Sequence, residues 1–177
     1  DVERTINIAK DEGIPILPRG GGTSQCGQVL GEALIIDTSK QLNRILQFDV
    51  ETKTVEVEPG VVLDDLNRML KPHNLFFPVD ISTGSRATIG GMAGNNACGS
   101  RSIRYGNMVH NVLEIDAILA DGTKAHFGQV SGNLEDIHGP RSYLDIISTL
   151  RKIAARESEE IDYRYPNLLR NVGGYNI

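Results

Sequence analysis

Residues 78–106 read PVDISTGSRATIGGMAGNNACGSRSIRYG, a run almost free of bulky core side chains. Five glycines fall between Gly84 and Gly99, beside the adjacent pair Asn95 and Asn96, a cluster of small hydroxyls and the arginines Arg86, Arg101 and Arg104. Connections between elements are ordinarily short, so a loop this long and this small implies backbone held against something that is not protein. The expectation is a bound, phosphate-bearing cofactor. Thr88, Ile89, Gly90 and Gly91 are expected to open a short helix whose N-terminal amides point at that ligand. Asn95 and Asn96 either read amide-like edges or cap turns. The arginines pair either with phosphate or with surface carboxylates, and Tyr105, before Gly106, packs either on a ring or on the core.

An upstream loop repeats the chemistry. Arg19, Gly20, Gly21, Gly22, Thr23, Ser24 and Gln25 follow a short apolar strand over residues 14–17. Consecutive glycines let the backbone turn its amides inward with no Cβ in the way, which makes an anion-binding nest. Thr23, Ser24 and Gln25 add side-chain donors, and Arg19 adds a positive charge; a merely flexible surface loop is the alternative. A Walker loop requires lysine and a hydroxyl residue after its last glycine, whereas Gly27 is followed by Gln28 and Val29. A dinucleotide fingerprint requires a third glycine where Gln25 stands and a helix beginning at once, but the run leads into a strand over residues 33–37. Both readings are rejected.

The remaining pattern interleaves helices and strands. Val2, Ile6 and Ala9 repeat at helical spacing with Gly13 as the closing cap. Residues 44–48 and 54–58 form a strand pair, and Leu63, Leu66, Met69 and Leu70 make the apolar stripe of a helix that Pro72 ends. Asp121 and Gly122 mark a hairpin between strands over residues 113–119 and 123–127. Residues 128–140 are an exposed loop, Tyr143 to Ala154 a helical stripe, and residues 151–160 a solvated helix face. This is an α+β arrangement rather than a doubly wound sheet.

At 177 residues, 40% hydrophobic, the chain is long enough for one cored domain or two small lobes. A net charge of −5 argues against a general nucleic-acid binder. Two cysteines, Cys26 and Cys98, supply neither a disulfide framework nor a four-cysteine zinc site. They read as reduced thiols, with a reactive or cofactor-linked Cys98 as the sharper alternative. No apolar run approaches a membrane span and no signal peptide is evident. Both ends are expected to be cut from a longer protein.

Four stretches in this order, PRGGGTSQCGQ, residues 78–106, NVLEIDAILADGT and YPNLLRNVGGYNI, resemble the FAD-binding domain of the vanillyl-alcohol oxidase / p-cresol methylhydroxylase (PCMH) family. The nearer likeness is to its 2-hydroxyacid branch: D-lactate dehydrogenases, the glycolate oxidase flavin subunit and D-2-hydroxyglutarate dehydrogenases. The resemblance implies a PCMH-type FAD-binding domain of two small α/β lobes, residues 1–60 and 61–177, truncated at both ends, with the substrate domain absent. It places Arg19 to Gln25, with Gly27 and Gln28, on the pyrophosphate. It places Pro78, Ser82, Thr88, Ile89, Gly90, Gly91, Asn95, Gly99 and Ser100, with Tyr105 and Gly106 ending the loop, along the flavin and ribityl path.

Some relatives attach FAD through a first-loop histidine where this chain has Thr23, so FAD is expected to be non-covalent. His73, His110, His126 and His138 lack ligand spacing and read as structural or surface residues, which leaves the catalytic base and any metal ligands outside the chain. The implied activity is hydride transfer from a 2-hydroxyacid to flavin N5, with electrons passed on to a quinone, cytochrome or iron–sulfur partner. The implied location is cytoplasmic or peripheral to a membrane. Two alternatives stand beside it: another enzyme of the same fold, such as a sugar-nucleotide reductase or aldonolactone oxidase, and an incomplete module that binds no FAD.

Overall fold

The computed structural model describes residues 1–134, 137–166, 168 and 177; most of the YPNLLRNVGGYNI stretch lies outside the described residues. Helix α1 (Val2–Asp11) buries Ile6 and Ala9, as their spacing predicts, and the chain leaves it through Gly13 at φ +66°. Strand β1 (Ile16–Arg19) pairs in parallel with β2 (Leu34–Asp37), from Ile16 opposite Leu34 to Arg19 opposite Asp37. Parallel neighbours need a crossover, usually a helix. Here the glycine-rich loop itself is the crossover, so it is held at both ends by one sheet and emerges beyond the carboxyl end of β1.

Strands β3 (Ile45–Asp49) and β4 (Thr54–Val57) form an antiparallel pair with a register shift between Ile45 and Gln47. Asp49 orders their turn by accepting from the backbone N–H groups of Glu51 and Thr52. Helix α2 (Leu63–Leu70) then buries Leu63, Leu66 and Leu70. The α-helix ends there, just ahead of Pro72 as expected. The chain continues through a 3-10 turn, Lys71–His73, and stops at Asn74 in the left-handed conformation, because proline in the first turn of a helix forfeits no N–H that would be bonded there.

The long small-residue stretch is more structured than its composition suggests. It contains α3 (Ile89–Gly94) and α4 (Ser102–Tyr105) and is followed by α5 (Met108–Asn111). It also builds core: Val79, Ala87, Met92 and Ala97 cluster with Leu63 and Met108. A second cluster, Val61, Leu66 and Leu70, packs on Phe48, Val55 and Val57. The stretch is therefore pinned from below by the packing that buries α2.

Beyond it, β5 (Ile115–Ile118) and β6 (Lys124–Phe127) pair antiparallel. Gly122, at φ +83°, and the Asp121 carboxylate, which accepts from Thr123 N–H at 2.8 Å, close the hairpin where Asp121 and Gly122 predict it. The final helical stripe and the charge-dense segment after it are one continuous element, α6 (Arg141–Arg164). Tyr143 anchors it edge-on against Phe127 at 5.2 Å. Among the described residues all three sheets are two-stranded and mixed with helices, which makes the fold α+β. No helix among them is long and apolar enough to cross a membrane.

Candidate functional site

A cleft of about 750 Å³ opens between the first loop and α3 with its flanks, within the usual range for small-molecule and cofactor sites. Of the residues singled out in the sequence, Arg19, Gly20, Gly21, Gly22, Thr23, Ser24, Gln25 and Gln28 line one side, and Ser82, Thr88, Gly90, Gly91 and Asn95 line the other. Gly27, Pro78, Ile89, Gly99, Ser100, Tyr105 and Gly106 are not among its walls. The lining also includes Asn96, noted in the sequence, and residues that sequence reasoning passed over, notably Val29, Thr38, Pro59, Ile81 and Ala97. Cys98 lies in the wall and is partly buried, whereas Cys26 is exposed.

The first loop presents free donors. Among the described residues, the backbone N–H groups of residues 20–28 and the side chains of Thr23, Ser24, Gln25 and Gln28 make no hydrogen bond within the protein. Gly22, at φ +65°, turns the loop, and the only atom near a Cβ built there is Arg19 Cδ at 3.8 Å. Arg19, expected to add positive charge, is instead paired with Asp37 across the parallel register at 2.9 Å. Asp37 also accepts from Ser39 Oγ at 2.6 Å and from Ser39 N–H. The Ser39 hydroxyl and then the Arg19 guanidinium hold the Asp37 carboxyl down to about 2. The donors this loop leaves free are therefore its amides and hydroxyls rather than Arg19.

At α3 the short helix forms as expected, capped by Thr88, but its first amides turn to partners within the protein. Ile89 N–H donates to Val61 C=O and Gly90 N–H to Pro59 C=O, both at 2.8 Å, while Gly91 N–H donates to Thr88 Oγ1 at 3.3 Å. The amides expected to point at a ligand are committed inside the protein. The cause is long-range: Thr88 bridges to Val62, and Leu63 N–H donates to Ala87 C=O at 3.0 Å, so the start of α3 is strapped to the turn before α2.

The same packing revises the meaning of the glycines. A Cβ on Gly20 would overlap Thr88 Oγ1, one on Gly21 the Arg86 carbonyl oxygen, and one on Gly90 the Pro59 ring. Gly20 and Gly21 thus let the first loop interlock with Arg86 and Thr88 of the second, and Gly90 lets α3 sit against Pro59. Gly94, by contrast, has nothing within 4 Å of a built Cβ and faces the cleft as open space.

Other residues expected along the ligand path turn elsewhere. Ser100 Oγ donates to Asp80 at 2.7 Å and Arg101 N–H donates to the same carboxylate at 2.8 Å. The Arg101 guanidinium sits 3.7 Å from Asp80 and over the Phe76 ring. Tyr105 packs edge-on to Phe76 at 5.8 Å with Arg104 over its face, and Gly106 lies against His110.

Asn95 caps the end of α3. Asn96, at φ +41°, accepts from Val109 N–H at 3.1 Å through Oδ1, and its Nδ2 is buried with no partner. None of the four histidines lines the cleft. His73 meets Phe48 edge-on, His110 accepts from Asn107 N–H, and His126 pairs with Asp116, whose hydrogen bond raises its pKa. No cluster suited to a metal ion occurs among the described residues.

Comparison with known proteins follows this geometry. A family model described as FAD binding domain matches residues 1–128. D-2-hydroxyglutarate dehydrogenase from Pseudomonas putida is 37% identical over 182 residues, covering 100% of this chain and 18% of that protein. The mitochondrial cytochrome-type D-lactate dehydrogenase of Kluyveromyces lactis is 39% identical over 127 residues, covering 70% of this chain and 22% of that protein. The chain spans about a fifth of the length of these relatives. In fold it matches the crystal structure of 6-hydroxy-D-nicotine oxidase from Arthrobacter nicotinovorans with a TM-score of 0.64 at 23% identity, over 72% of this chain and 27% of that one.

Proposed function

The chain belongs to the FAD binding domain family, and from that membership we propose that it is the cofactor-binding part of a flavin-dependent dehydrogenase acting on 2-hydroxyacids. The observation that carries the FAD assignment is the first loop, with its run of uncommitted amides and hydroxyls facing the cleft. The residues present fit FAD on this count. The 2-hydroxyacid substrate rests on the names of the relatives, D-2-hydroxyglutarate and D-lactate dehydrogenases.

In this reading residues 1–60 carry the pyrophosphate end and residues 61–177 the ring end. The amides of residues 20–25 and of Gln28, with the side chains of Thr23, Ser24, Gln25 and Gln28, hold the pyrophosphate. Ile81, Ser82, Ala97, Cys98 and the two asparagines bound the ribityl and ring end. Pro78, Ser100, Tyr105 and Gly106 support this wall from behind. Thr23 has no imidazole to form a link, so FAD is held non-covalently. FAD, when bound, supplies the hydride acceptor. This chain's residues contribute binding, orientation and exclusion of water, and none of its four histidines lines the cleft. The electron acceptor is a carrier of the quinone, cytochrome or iron–sulfur class.

The test is a comparison of flavins. Titrated into the flavin-stripped full-length protein and followed by flavin fluorescence, FAD is expected to bind about 100-fold or more tightly than riboflavin, since several charge-assisted hydrogen bonds are at stake. Equal affinity for the two would mean that no pyrophosphate site exists here. Failure to bind either would leave the module without its cofactor.

A further inference from the structure

Asp80 lies directly behind the cleft, where the beginning and the end of the long small-residue stretch meet. Ile81 and Ser82, the next two residues, line the cleft. Its carboxylate reaches across to the other end of the stretch, accepting from Ser100 Oγ at 2.7 Å through one oxygen and from Arg101 N–H at 2.8 Å through the other. Just before those donors, Ala97 and Cys98 line the cleft again. Between them Gly99 lies so close to Asp80 that a Cβ there would overlap the Asp80 carbonyl oxygen. The contact closes residues 80–101 into a ring with two short segments of cleft wall beside the closure. Partial burial opposes ionisation of Asp80, but the bonds from Ser100 and Arg101 overcome it and hold the carboxyl below its ordinary range.

We propose that Asp80 is a positioning residue of the cofactor site: its carboxylate clasps Ser100 and Arg101 and so sets how the wall at Ile81 and Ser82 stands to the wall at Ala97 and Cys98. The inference rests on the reading that this cleft holds FAD. Asp80 touches no cofactor atom; it acts through the residues on either side of the clasp. Ser100, read from the sequence as a flavin-path residue, works as the other half of that clasp.

The experiment uses the full-length flavoprotein and the variants Asp80→Ala, Asp80→Asn and Ser100→Ala, with FAD affinity and the visible circular dichroism of the bound flavin as readouts. Loss of the clasp in Asp80→Ala is expected to weaken FAD about tenfold or more, the scale of one or two hydrogen bonds to a charged group, and to change the flavin dichroism. Ser100→Ala, which removes one bond, is expected to show a smaller shift in the same direction. Asp80→Asn, which keeps one acceptor, is expected to recover part of the affinity.

A core variant of similar stability loss, Leu66→Ala, separates positioning from mere destabilisation, because its flavin dichroism is expected to match the parent protein's. Should Asp80→Ala fail to fold, Ser100→Ala and Asp80→Asn decide the matter. FAD affinity within twofold and unchanged dichroism in the folded variants would overturn the role of Asp80 while leaving the FAD assignment standing. A parent protein that takes up no FAD would overturn the assignment itself.

Discussion

Replacing Gly21 with valine is expected to strip the protein of most of its FAD and to lower its stability by about 3 kcal/mol, the upper end of the usual cost of overpacking. Two effects coincide at this position. A Cβ there would overlap the Arg86 carbonyl oxygen, so the first loop must lift away from the stretch preceding α3. The free amides of the loop, which make no bond within the protein, would then shift relative to the opposite wall of the cleft. Flavin content from the visible spectrum and a urea transition, both on the full-length protein, measure the two losses. Full flavin content in a variant destabilised to this extent would mean that the first loop is not the pyrophosphate site. Full content with no destabilisation would mean that the interlock of the two loops is not as described.

Leu66→Ala tests the opposite case, a large loss of stability with little effect on the site. Leu66 is 1% exposed, among the most deeply buried side chains of α2, and packs with Val61 and Leu70 against Phe48, Val55 and Val57. Truncating a leucine so placed removes its transfer free energy and leaves a cavity, at a cost of about 2–5 kcal/mol. None of these six residues lines the cleft. Measured well below the unfolding transition, FAD affinity is expected to stay within about twofold of the parent protein. A tenfold loss of affinity would show that this core and the cleft walls move together.

The contrast between these variants shows which parts of the molecule were legible in the sequence. Helix α1 followed from Val2, Ile6 and Ala9, and the second hairpin from Asp121 and Gly122, because both signals are local: a period, and a turn that needs glycine at positive φ. The first loop stood out because several glycines followed by hydroxyl residues have few structural uses, and the structure leaves its amides unbonded beside a cleft. The role of α3 was not. Its sequence reads as a helix start facing a ligand, and only the tertiary strap to Pro59 and Val61 removes its amides from use.

Glycine itself carries an ambiguity that pattern reading does not resolve. Close approach to a phosphate and close approach to a neighbouring carbonyl require the same missing Cβ, and Gly20, Gly21, Gly90 and Gly99 all meet protein. The pairing of Arg19 with Asp37 was hidden for a related reason. It depends on the parallel register of β1 and β2, which places residues eighteen apart side by side. The adjacent asparagines were noticed, but nothing local says that Asn96 carries the unpartnered buried amide while Asn95 closes α3.

The central claim is that FAD is gripped by the free amides of the first loop and not by the start of α3. Amide hydrogen exchange, read by mass spectrometry on the full-length protein with and without FAD, addresses it directly. Without FAD, residues 20–28 are expected to exchange fast, since their amides have no partner in the protein, while Ile89 and Gly90 exchange slowly because theirs do. Added FAD is expected to slow exchange across residues 20–28 and to leave Ile89 and Gly90 as they were. Protection gained at Ile89 and Gly90, with residues 20–28 unchanged, would contradict the account.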